Sequence, residues 1–257
     1  MNLYFCRLLP AMCVCASPAL AAQEAPASTV SANVTVASQY VSRGVRQSWG
    51  RPALQAGIDY VRPDGWSAGT WISTVSDKFI EKSTVEWDVY GGYTGSAGQL
   101  GYSATVYYYK YPGAVVTATG TRFDYGELSG GLTWGPAYAK YNYTFTRDFF
   151  GIENARGTSY LDLGANPALG GGWVLNLHAG SAHVAGAGND YWNWRDAKVG
   201  VSRAFGGHWN ASLAWTRAWG RTDAYARYTN GVPGPSGQPE YADTAKGTVV
   251  LALTRTF

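Results

Sequence analysis

The chain contains few residues whose types and spacing suit catalysis. Its only histidines are His178, His183 and His208. Asp162 and His178 are predicted to point the same way from neighbouring strands, and an Asp/His pair of this kind could activate a water molecule as a general base. Both residues lie in mid-strand rather than at a rim that a substrate could reach. We therefore interpret them as a hydrogen-bonded pair in the interior, without a catalytic role.

Other arrangements that support chemistry are missing from the sequence. Ser181 and His183 share one strand face, but the segment lacks the His-Ser-Asn-Gly pattern expected of a lipolytic site. No cluster of His, Cys, Asp and Glu has the spacing of zinc ligands. No Gly-rich segment lies between a strand and a helix, as a phosphate-binding loop does. The sequence therefore predicts a protein that is not an enzyme and that uses no metal and no cofactor.

Charged residues that repeat on one face of the predicted strands are more informative. A buried charge in a dry interior is very costly unless it is paired, so their repetition predicts an interior that is either wet or fully paired. A wet interior would make them pore-lining residues, whereas full pairing would make them a salt-bridge plug. The residues concerned are Arg43, Asp59, Glu86, Asp88, Glu127, Lys140, Asp162, His178, Asp196, Lys198 and Lys246.

Composition excludes several classes of protein. Only 14% of the 257 residues are charged, against roughly 25% in a soluble globular domain. The mean hydropathy is −0.18, and no apolar run reaches the length of a transmembrane helix. Aromatic residues make up 15% of the chain, which is too many for a disordered protein. The net charge of +3 is too small to indicate nucleic-acid binding.

The N-terminus has the pattern of a secretory signal peptide. Arg7 is followed by an apolar stretch and then by Ala19-Leu20-Ala21, an A-x-A cleavage site. We predict a signal peptide over residues 1–21 and a short tail over 22–30. A membrane anchor is less favoured because the apolar stretch is short and contains two prolines. Lipidation is less favoured because no small residue precedes Cys13 or Cys15.

After residue 30 the chain alternates between apolar and polar residues at a period of two, which is typical of strands with two different faces. Tyr141, Tyr143 and Phe145, for example, alternate with Asn142 and Thr144. We predict an all-β fold over residues 31–257 with about twelve strands: 32–43, 53–61, 66–75, 83–94, 100–111, 122–134, 137–146, 158–167, 172–183, 194–205, 208–219 and 244–257.

The connections between these strands alternate between short and long. Short ones contain turn residues such as Arg62-Pro63-Asp64-Gly65, and the longest long one spans residues 220–243. Transmembrane up-and-down antiparallel β-barrels have this form, and closure satisfies every backbone group that lipid cannot. A secreted β-sandwich or lectin is the alternative, but its outer face would carry charge. Aromatic residues predicted near strand ends also suit membrane interfaces: Tyr40, Tyr60, Trp66, Tyr93, Tyr102, Trp134, Trp173, Trp209, Trp215 and Trp219.

Two segments resemble known outer-membrane proteins. Phe257, preceded by apolar residues at alternate positions, is similar to the C-terminal signal that the barrel-assembly machinery recognises, although Arg255 departs from the usual aromatic. Ser38–Val45 with Gln47-Ser48, then residues 52–60 and 65–73, resemble the first strand and hairpin of the TorF-type porins of proteobacteria. The resemblance covers residues 34–75 and implies an outer-membrane barrel with a pore.

We therefore predict a porin-like channel in the bacterial outer membrane for passive diffusion of small hydrophilic solutes or ions. Its expected partners are outer-membrane lipid and lipopolysaccharide, the barrel-assembly machinery and small solutes, but no nucleic acid. A non-conducting barrel with a structural or adhesive role is the alternative, and a barrel enzyme is third. The sequence leaves open whether the loop over 220–243 folds into the lumen.

Overall fold

A computed structural model describes residues 27–257, which are almost entirely strand, turn and loop. The predicted signal peptide over 1–21 lies outside the described residues. The elements are β1 (Thr29–Ala37), β2 (Val41–Ser42), β3 (Val45–Arg46), β4 (Ala53–Val61), β5 (Trp66–Thr74), β6 (Val85–Ala97), β7 (Leu100–Lys110), β8 (Tyr125–Trp134), β9 (Ala137–Thr144), β10 (Ser159–Ala165), β11 (Ala168–Gly170), β12 (Trp173–His183), a 3₁₀ turn (Asn189–Trp192), β13 (Trp194–Phe205), β14 (Trp209–Gly220) and β15 (Thr248–Thr256).

Twelve of these strands form one closed antiparallel barrel, which confirms the predicted architecture. The ring runs β1, β4, β5, β6, β7, β8, β9, β10, β12, β13, β14 and β15. It closes where β15 pairs with β1, in the register Thr35 opposite Thr254. The hydroxyl oxygens of these two threonines lie 2.7 Å apart across the closure. In residues 27–257, no helix is long and apolar enough to cross a membrane.

The two faces of the barrel differ as the alternation predicts. Leu54 and Ile58 of β4 are 55% and 54% exposed, whereas Gln55 and Asp59, the residues that follow them, are 3% and 5% exposed. Outward aromatic residues collect near both ends of the strands, as expected for membrane interfaces. Those at the end with short turns, the turn end, include Trp66, Tyr102, Trp134 and Trp173, and those at the opposite, loop end include Trp87, Trp215 and Trp219.

The first strand differs from its prediction. It begins at Thr29, inside the predicted tail over 22–30, and ends at Ala37 rather than at residue 43. The chain then folds inward, and residues 41–46 form a small hairpin, the inward hairpin. Its two central residues, Arg43 and Gly44, have φ of 48° and 77°, the backbone of a two-residue turn that matches strand twist. Tyr40, predicted at a membrane interface, is therefore inside the barrel, where its ring meets that of Trp71 at 5.4 Å.

The apolar core lies at the loop end of the barrel. It is built by residues from the long connections, such as Phe79, Phe123, Phe149 and Tyr225, packed against inward residues of the strand ends such as Trp194. An up-and-down sheet brings all its long connections to one end, so their apolar side chains can bury one another only there. The loop end is therefore filled by side chains, whereas the turn end is not part of this core.

Candidate functional site in the barrel interior

The inward hairpin is held between two walls of the barrel. Arg43 donates from Nη1 and Nη2 to the two carboxylate oxygens of Glu127 on β8, at 3.0 and 2.6 Å. Trp194 on β13 donates from its indole nitrogen to the carbonyl of Arg43 at 2.9 Å. A Cβ on Gly44 would lie 2.4 Å from Cβ of Asp196 on β13. Strands β9, β10 and β12 separate β8 from β13, so the hairpin tip spans the lumen.

Arg43 is charged in this position. Its guanidinium also lies 4.5 Å above the ring of Tyr160, a cation–π contact. Burial acts to lower the pKa of Arg43, but the facing Glu127 carboxylate outweighs this and raises that pKa well above its ordinary value. Glu127 is fully buried, so the pair behaves as one neutral, bidentate unit.

A second cluster surrounds His178 on β12. Its Nδ1 lies 2.8 Å from Asp162 and its Nε2 lies 2.6 Å from Asp196. Tyr160 donates its hydroxyl to Asp196 at 2.9 Å. Because carboxylates occupy both ring nitrogens, the imidazole has no free nitrogen with which to take a proton from water or to bind a metal. The arrangement is that of a paired interior network, as the sequence suggested for Asp162 and His178.

The acids on β4 and β6 have fewer partners. Asp59 accepts a hydrogen bond from Tyr90 at 2.6 Å, and Glu86 accepts one from Tyr40 at 3.3 Å. Asp88 is 8% exposed, and its carboxylate takes part in no hydrogen bond or ion pair with the described residues; Oδ1 is fully enclosed. Among the described residues, none of these three acids forms an ion pair with a lysine, arginine or histidine.

The three predicted lysines have different surroundings. Lys140 lies on the inner face of β9, 5.7 Å from the ring of Tyr138. Lys198 lies on the inner face of β13, opposite Thr216 and His178. Lys246, predicted in mid-strand, lies in the connection before β15 and is exposed. Ten of the eleven predicted pore-lining residues thus lie inside the barrel, and Lys246 lies at its rim because β15 begins only at Thr248.

The interior also contains aromatic residues that are not among those the sequence pattern predicts there. Tyr107 and Tyr109 of β7 point inward, and Tyr109 stacks on Tyr125 with ring centroids 4.4 Å apart. Alternation along β7 could have predicted this orientation, because Tyr107 and Tyr109 share a face with Ser103 and Thr105. The run Tyr107-Tyr108-Tyr109 obscures the alternation, since three consecutive tyrosines do not show which of them face lipid.

The loop over 220–243 packs across the mouth of the barrel. Tyr228 donates its hydroxyl to the carbonyl of Phe79 at 2.7 Å, and Tyr225 donates to the carbonyl of Trp192 at 2.9 Å. Burial raises the pKa of both tyrosines above the ordinary value, so they remain neutral donors. Lys78 and Glu240 form an ion pair between this loop and the connection before β6. The base of the loop therefore helps to fill the loop end.

A closed twelve-stranded barrel with an apolar outer face, aromatic residues at both ends and a polar interior is a bacterial outer-membrane β-barrel. The sequence matches the family Gcw_chp, described as bacterial protein of unknown function, over residues 21–257. The chain belongs to this family. No curated protein is similar enough in sequence to count as a match.

Solved outer-membrane structures share the fold. A KdgM porin in complex with disordered oligogalacturonate is 8% identical, with a TM-score of 0.52 and coverage of 88% of this chain and 99% of that one. The NanC porin is 8% identical, with a TM-score of 0.53 and coverage of 88% and 98%. A TodX mutant, a monoaromatic hydrocarbon channel, is 13% identical, with a TM-score of 0.53 and coverage of 90% and 91%. At these identities the similarity concerns the fold alone.

Proposed function

We propose that this protein is a narrow outer-membrane channel through which small hydrophilic solutes or ions diffuse passively. The observation that carries the proposal is the chemistry of the inner wall towards the turn end. Most inward positions there are small or polar, and they lie outside the apolar core. They include Asn33, Ser67, Thr105, Gly131, Asn176, Ser202 and Ser212. Such a wall is solvated by water, and a lumen lined in this way suits hydrophilic solutes.

The charges of the interior support the same proposal. Asp88 and Lys198 lack ion pairs with the described residues, whereas a dry plug would need every charge to be paired. The KdgM and NanC porins and the TodX channel share this architecture. The resemblance of residues 34–75 to TorF-type porins also favours a pore, although the family shown by the whole chain is Gcw_chp.

The inward hairpin forms the constriction of the proposed channel. Twelve strands spaced about 4.8 Å and tilted about 40° give a backbone radius near 12 Å. Inward side chains and a two-stranded hairpin occupy most of that radius at the level of Glu127. We therefore expect small conductance steps and passage of ions and of solutes no larger than a mono- or disaccharide.

A non-conducting structural barrel is the second candidate, and the filled loop end favours it. The experiment that separates the two is planar-bilayer recording of refolded protein, whose folding is first verified by heat-dependent gel mobility. The channel proposal expects discrete conductance steps that are absent from empty bilayers and from bilayers given heat-unfolded protein. Folded protein without conductance steps would leave the structural barrel as the function.

We expect no enzymatic role, since both nitrogens of His178 are engaged by carboxylates. We expect the lipid partners to contact the outer face. Arg195 and Arg217 are exposed there, on neighbouring strands near the loop end, where the phosphates of lipopolysaccharide would lie. Phe257, also exposed, pairs its backbone with Ala32 at the turn end and is the residue we expect the assembly machinery to bind.

A further inference from the structure

We propose that the inner wall around Asp88 binds the cationic head of a small organic amine, such as a quaternary or primary ammonium group. The inference rests on the proposed function, because it names a class of solute that the channel would take. It is carried by the carboxylate of Asp88 and by the aromatic rings placed beside it.

Strand register places Asp88 in a row of inward aromatic residues. Asp88 lies opposite Trp71 of β5 and opposite Tyr109 of β7. Directly opposed residues in an antiparallel sheet have Cβ atoms about 5 Å apart, so the carboxylate has an aromatic ring on each side. The ring centroids of Tyr40 and Trp71 lie 5.4 Å apart, and those of Tyr125 and Tyr109 lie 4.4 Å apart. Tyr40 and Tyr125 therefore extend the aromatic wall on both sides of Asp88.

The carboxylate of Asp88 has no partner among the described residues, although the residue is more than nine-tenths buried. A buried, unpaired carboxylate is strongly unfavourable. Arg43 extends into the lumen as a cation, but both of its terminal nitrogens are bound to Glu127. Glu86, two residues before Asp88 on the same face, adds further negative charge. The described side chains therefore supply no ion-pair partner for Asp88.

An organic cation fits this site better than a metal ion does. In residues 27–257, no group of three or more His, Cys, Asp or Glu side chains is arranged to hold a metal. Aromatic faces attract alkylammonium ions through cation–π interactions, and tryptophan does so most strongly. Trp71 and Tyr109 are each partly exposed, so their rings can meet a solute that enters the lumen.

Calorimetric titration of the refolded, detergent-solubilised full-length mature protein tests the proposal. The probe is choline, and the control ligand is its uncharged carbon analogue, 3,3-dimethylbutan-1-ol. We expect choline to bind and the analogue not to bind. Asp88→Asn should weaken choline binding about tenfold or more, because the charge is lost while the shape is kept. Asp59→Asn is the matched control, since Asp59 is an inward acid already satisfied by Tyr90; it should change the affinity less than about threefold.

A second variant covers the case in which Asp88→Asn does not fold. Trp71→Leu keeps the carboxylate and removes the ring, and it should also weaken choline binding. Equal binding of choline and its analogue, or choline affinity unchanged in both folded variants, would overturn the proposal. The Asp88 carboxyl group would then be satisfied by a proton or by a water molecule rather than by an organic cation. Conductance is measured separately in potassium chloride: protein that conducts but does not bind choline refutes only the amine site, and protein that binds choline without conducting refutes only the channel.

Discussion

Release of the inward hairpin should open the channel. In Arg43→Ala, both hydrogen bonds to Glu127 and the contact with the Tyr160 ring are lost. Glu127 is fully buried and would be left as an unpaired charge, a change that typically costs about 3–5 kcal/mol. That cost favours displacement of the tip, which would still be held by the Trp194 bond, the tight turn and the packing of Val45 in the apolar core. We therefore expect the tip to leave its position while the twelve-stranded barrel stays closed.

The double variant Arg43→Ala/Glu127→Ala separates the effect of losing the ion pair from the effect of leaving Glu127 as an unpaired charge. It removes both partners, so the free energy of unfolding should fall less than in the single variant. Both variants should show larger single-channel conductance in planar bilayers, and only the single variant should show a marked loss of stability in urea unfolding. Heat-dependent gel mobility verifies that each barrel is folded.

The control is Arg62→Ala, which breaks the ion pair of Arg62 with Asp64 in the turn between β4 and β5. Both side chains are about half exposed, so the pair contributes about 0–1 kcal/mol, and the variant should conduct as the wild type does. If Arg43→Ala is folded and its conductance equals that of the wild type, the inward hairpin is not the constriction.

Three further predictions follow from the faces of the barrel and from the N-terminus. Leu213→Arg, on the outer face, should lower the free energy of unfolding in lipid vesicles by about 2–4 kcal/mol, whereas inward Ser212→Arg should cost much less; equal costs would reverse the assignment of faces. Glu86→Gln/Asp88→Asn should shift the reversal potential across a salt gradient towards anions without unfolding the barrel, and an unchanged potential would place the ion path elsewhere. The mature chain should begin at about Ala22 and fractionate with the outer membrane, which N-terminal sequencing of membrane fractions tests; recovery from the soluble periplasm would contradict it.

The barrel could be predicted because the sequence of each strand shows which of its residues face inward and which face outward. An inward residue and its outward neighbour alternate along one strand, so Leu54 and Gln55 show their faces without reference to any other strand. Short connections such as 62–65 and long ones such as 220–243 then fix the up-and-down order. The same reasoning placed ten of the eleven charged residues inside, and it failed for Lys246 because strand ends are the least certain part of such a prediction.

The sequence by itself determined the class of protein and the composition of its interior, since alternation at a period of two is set by strand geometry alone. Tertiary structure decided how the interior is used. The polar segment after Ala37 looked like the continuation of a strand, yet it turns inward because Glu127 and Trp194, 84 and 151 residues away from Arg43, offer partners there. Tertiary structure also decided that Glu127 is paired and Asp88 is not, although both lie at inward positions, Asp88 on β6 and Glu127 on β8. Pairing depends on the distance between atoms that only closure of the ring brings together, and no local pattern records that distance.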